Sequence, residues 1–144
     1  MSPQEITAQR ELTNYLSFLI IERISVSREY VGKARLPAAV IAINAFFSKI
    51  LFHTAIASEP TIDEFESHGF TEDAGTIYQE ALFMFAQWRD KGIEAAVYDY
   101  CQRMNRVLIR YVPIMGPGYR FHDLCVCERA IVERINNLKR LQNN

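Results

Sequence analysis

The sequence predicts an all-α fold, a single-domain helical bundle of about five principal helices plus one short helix. Three observations carry that expectation. Apolar residues recur at three- and four-residue spacing over long stretches. Capping signatures, glycines and prolines bracket those stretches. No run of alternating apolar and polar residues is long enough to argue for a sheet. At 144 residues the chain suits one domain, which buries roughly 70% of the surface its unfolded form exposes. With 49% hydrophobic and 23% charged residues, the composition excludes a disordered chain, a collagen-like repeat and a polar coiled-coil rod.

The elements follow in order. Ser2-Pro3-Gln4-Glu5 reads as a capping box, and the helix it opens carries Leu12, Leu16, Leu19, Ile20 and Ile24 on one side. It is expected to run to about Val31, before Gly32, with a kink or break where Ser25, Val26 and Ser27 lower helix propensity. Pro37 opens a second helix, apolar on nearly every face, to about Ala57. Its length approaches a membrane span, but Lys49 at its middle would cost about 2.5–3.5 kcal/mol near a bilayer centre. A central core helix and no membrane contact are therefore expected. Thr61-Ile62-Asp63-Glu64 repeats the capping-box pattern and predicts a short helix from Ile62 to His68. Thr71 caps a helix from about Glu72 to Lys91, with Ile77, Ala81, Phe85 and Trp88 on its buried side. Gly92 stops or bends it. The next helix spans about Ile93 to Tyr111 or Val112, with Val97, Cys101, Met104, Leu108 and Tyr111 inward, and is expected to end at Pro113. An ordered loop from Ile114 to His122 leads to Asp123, the expected cap of a final helix bearing Leu124, Cys127, Ile131, Ile135 and Leu138.

Charge is segregated along this plan. Residues 1–50 sum to +2, residues 51–100 to −8 and residues 101–144 to +5, giving −1 overall. Near-neutrality argues against a generic nucleic-acid glue. An acidic middle and a basic final third mean either surface poles that meet partners or segments that neutralise each other internally.

The basic third holds the leading candidate site. Arg103, Arg106 and Arg110 recur at i, i+3 and i+7, one helix face opposite the apolar stripe. Arg120 and Arg129 follow, with Tyr119 nearby. Planar guanidinium suits carboxylate or phosphate, and aromatic rings can stack on bases. The expectation is a non-enzymatic helical interaction or assembly module, with a protein partner or a second copy bound through the basic third. A nucleic-acid-binding subunit contacting phosphates through Arg103, Arg106 and Arg110 is the alternative. No Gly-rich phosphate loop, zinc-finger spacing or ribonucleoprotein aromatic motif accompanies the arginines.

The second alternative is a small metal- or thiol-dependent enzyme around His122, Cys125 and Cys127, because thiolate and imidazole are zinc ligands. On a helix, however, Cys125 and Cys127 point about 200° apart, so buried thiols are expected, no metal and no cofactor. Glu64 and His68, one turn apart in the acidic cluster of Glu59, Asp63, Glu66, Glu72 and Asp73, read as a solvated face. His53 reads as a hydrogen-bonded core histidine. No G-x-S-x-G elbow is present. Three cysteines cannot form a disulfide framework, and the N-terminal residues lack a basic, apolar leader, so a cytoplasmic setting with reduced thiols is expected.

Overall fold

A computed structural model of the chain describes residues 2–30, 35–52, 83–84, 86–87 and 90–142. Helix dominates them. Four α-helices stand out among the described residues: α1 (Pro3–Glu22), α2 (Ala38–Phe52), α3 (Ile93–Met115) and α4 (Glu128–Gln142). Residues 83–84, 86–87 and 90–91 are also helical. The expected short helix at 62–68 and most of the helix at 72–91 lie outside the described residues, as do His53, His68 and the acidic cluster from Glu59 to Asp73.

The first helix begins as its residues dictate. Ser2 Oγ accepts from Glu5 N–H at 3.1 Å, and Pro3 occupies the first turn, where its missing N–H is no loss. It ends earlier than expected, at Glu22, where Arg23 N–H closes on the carbonyls of Leu19 and Ile20. The chain then turns extended, so of the expected kink or break near Ser25 it is the break that occurs, with a strand after it. Strand β1 (Ile24–Val26) pairs antiparallel with β2 (Tyr119–Phe121), with Ser25 opposite Arg120. The sequence reading of a chain without strands is corrected here. Ile24 and Val26 lose side-chain freedom in a helix and gain a pleated partner in β2. Ile24 and Tyr119 are buried while Ser25 and Arg120 face out. Strands of three residues are too short for that alternation to be read from sequence alone.

The third helix passes the expected stop at Pro113 and runs to Met115. Near a helix end the proline removes a single backbone bond to the preceding turn and the helix tolerates the loss. Gly92, at φ +89°, sets the opposite end in a conformation that side chains rarely adopt. The last helix starts later than expected: Asp123 caps a 3-10 turn (Leu124–Cys127), and α4 follows from Glu128.

One contiguous apolar cluster fills the interior. It draws Leu12, Leu16 and Ile20 from α1, Ile43 and Phe47 from α2, Met104 and Leu108 from α3, and Ile131 and Ile135 from α4. Inside it sits a polar tie among three helices. Tyr100 OH donates to Asn44 Oδ1 at 2.5 Å, and Asn44 Nδ2 donates to Ser17 Oγ at 3.3 Å. The Tyr100 ring stacks on Phe47 at 4.6 Å between centroids. Burial satisfied in this way is tolerated, whereas an unpartnered amide in the same place costs several kcal/mol. Among the described residues no helix is long and apolar enough to cross a membrane.

Candidate functional site

The five arginines and one tyrosine singled out from the sequence are placed in three different settings. Arg103 is turned inward. Its Nε donates to Asp99 Oδ2 at 2.8 Å, its guanidinium lies 4.2 Å from the Phe83 ring centroid, and its side chain is 15% exposed. The expectation that it lines an outer face is corrected: an acid one turn earlier and an aromatic ring hold it. Arg106 and Arg110 are exposed on α3. Arg120 is exposed on β2, whereas Tyr119 beside it is 8% exposed and packs into the core. Arg129 is exposed and meets Glu133, one turn on, at 3.3 Å.

The outer surface of α3, along its length, also carries large apolar groups. Tyr98 is 57%, Ile109 63% and Ile114 74% exposed. The helix is therefore amphipathic in an unusual sense: its inner face is core, and its outer face mixes guanidinium with isoleucine. The sequence reading missed Tyr98, Ile109 and Ile114. The signal was available, since all three fall outside the inward positions 97, 101, 104, 108 and 111.

His122, Cys125 and Cys127 do not converge. His122 Nε2 lies 2.6 Å from Ser25 Oγ, across the ladder. Cys125 Sγ accepts from Gln102 Nε2 at 3.3 Å and from Asn105 Nδ2 at 3.4 Å. Burial and the neighbouring Asp123 carboxylate push the Cys125 thiol up to about 12. Burial raises the Cys127 thiol too, with Arg23 opposing the shift. A thiolate is what metals and electrophiles require, and this environment suppresses it. Among the described residues no group of three or more His, Cys, Asp or Glu is placed to hold a metal ion.

Asn105 and Asp123 organise the junction between β2 and α4. Asn105 Oδ1 accepts from Leu124 N–H at 2.8 Å, and its amide donates to Asp123 Oδ1 at 2.7 Å. Asp123 Oδ1 also accepts from Cys125 N–H at 2.8 Å. That backbone bond, followed by the Asn105 amide, holds the Asp123 carboxyl below its ordinary range. Elsewhere a groove of about 290 Å³ opens between α1 and α4, lined by Ala8, Glu11, Leu138 and Leu141 among others.

No protein family, curated protein or solved structure matches this chain. The functional reading therefore rests on the chain's own residues.

Proposed function

We propose that this chain is a non-enzymatic helical interaction module, a subunit of a self-associating or larger assembly, which meets an acidic protein surface through the outer face of α3. The observation that carries the reading is the exposure of Ile109 and Ile114 beside Arg110, with Tyr98 about three turns earlier on the same helix; the Arg110 side chain has no hydrogen-bond or ion-pair partner among the described residues. Aromatic and arginine side chains are enriched where proteins meet, and clustered exposed apolar groups mark such surfaces. A second copy supplies a suitable surface in composition, since residues 51–100 sum to −8. A protein partner is favoured over nucleic acid because Arg103 is occupied internally and Tyr119 is packed away, leaving fewer phosphate and stacking contacts.

The test is light scattering over a concentration series for the wild type and the double variant Ile109→Asp/Arg110→Glu. The wild type is expected to associate, less so at high salt, and the variant to weaken association by at least about tenfold, or ~1.4 kcal/mol. A wild type that stays monomeric throughout overturns the self-association reading, as does a variant that associates equally well.

A further inference from the structure

The β1–β2 ladder was absent from the sequence plan, and it brings together residues nearly a hundred positions apart. Ser25, Arg120 and His122 are all exposed. Ser25 sits directly opposite Arg120 in the register, and its Oγ is 2.6 Å from His122 Nε2. Directly opposed Cβ atoms in an antiparallel pair lie about 4.5–5.5 Å apart, and residues two apart on a strand share a face about 7 Å apart. A hydroxyl, a guanidinium and an imidazole thus occupy one small outward patch on a paired backbone.

We propose that this patch is a binding site for a phosphate dianion, free or as a monoester, with Arg120 as its charged anchor and Ser25 as a neutral donor oriented by His122. The Arg120 guanidinium has no hydrogen bond or ion pair among the described residues, so its fork is available for two parallel bonds to oxyanion oxygens. The acid that follows His122 does not neutralise it. Asp123 is turned to Cys125 N–H and to Asn105. With the imidazole proton on Nε2, His122 donates to Ser25 Oγ, and the serine hydroxyl hydrogen is left to point toward a ligand beside Arg120. One hydroxyl and one guanidinium fork offer three donors. A phosphate monoester has three terminal oxygens to accept them, whereas a carboxylate has two.

The site is separate from the α3 surface and stands or falls without it. The experiment titrates inorganic phosphate and, separately, O-phosphoserine into the full-length chain at constant ionic strength, followed by backbone amide shifts. Saturable shifts centred on Ser25, Arg120 and His122 are expected. Arg120→Ala should weaken binding at least about tenfold and Ser25→Ala by a few-fold, with Arg10→Ala, an exposed arginine on α1, unchanged. Tighter binding of phosphoserine identifies an esterified phosphate as the occupant, and equal binding identifies the free ion. Shifts that do not saturate, that spread over all exposed arginines, or that persist undiminished in Arg120→Ala overturn the proposal.

Discussion

Arg103 and Arg110 stand two turns apart on the same helix, and the residue four positions earlier decides what each can do. For Arg103 it is Asp99, which takes the guanidinium at 2.8 Å with both side chains largely buried. For Arg110 it is Arg106, a like charge that cannot hold it. The i, i+4 acid was readable in the sequence; the Phe83 ring over Arg103 was not, because it comes from another segment. The thiols show a similar split. Cysteine spacing invited a metal site, but Cys125 is held by Gln102 and Asn105 from α3, contacts that no linear pattern displays. A thiol at about 12 is almost wholly protonated at pH 8. Its reaction with Ellman's reagent should be slower than that of a free cysteine by about two orders of magnitude, the scarcity of thiolate being partly offset by its greater intrinsic nucleophilicity. All three cysteines should react at ordinary rates in denaturant. Rapid labelling of native Cys125, read by mass spectrometry, would contradict this environment.

At the scale of elements, the largest departure from the sequence plan is the end of α1 and what replaces its expected continuation. Propensity located the weak point near Ser25 but could not show that Tyr119–Phe121 would arrive to pair with it. Pairing over that chain separation is a tertiary event. The junction after β2 is likewise built by a residue from elsewhere, since Asn105 of α3 serves both the Leu124 amide and Asp123. Asp123 gives this junction a pH signature. Its carboxyl is depressed in the folded chain, so the stability it contributes is fully present above its unfolded value near 4 and is lost as pH falls through the folded value. Asp123→Ala should therefore melt below the wild type at neutral pH, and the gap should narrow steadily below about pH 4. Thermal unfolding followed by circular dichroism over that range checks it. A gap that stays constant to pH 2 would show that the carboxylate charge is irrelevant.

For the molecule as a whole, the polar tie within the core sets how α1, α2 and α3 register. Leucines and isoleucines pack in many near-equivalent ways, whereas the Tyr100–Asn44–Ser17 chain is satisfied in one arrangement of three helices. Asn44→Ala leaves the buried Tyr100 hydroxyl without its acceptor and opens a cavity, and should cost about 2–4 kcal/mol in urea unfolding. Tyr100→Phe should cost about 1–3 kcal/mol. Combining Asn44→Leu with Tyr100→Phe removes both partners, and the loss should fall well short of the summed single losses. Strict additivity would show that the two groups do not act as a unit.

Local chemistry alone determined the helical class, the Ser2 cap, the Gly92 break and the inward stripe of α3, because each depends on residues within one or two turns of one another. The tertiary structure decided which arginines face outward, where each thiol finds its partners, and that Ser25 meets His122. Those outcomes depend on distances between segments up to 97 residues apart, and contacts of that reach form only when the apolar faces have already brought the helices together.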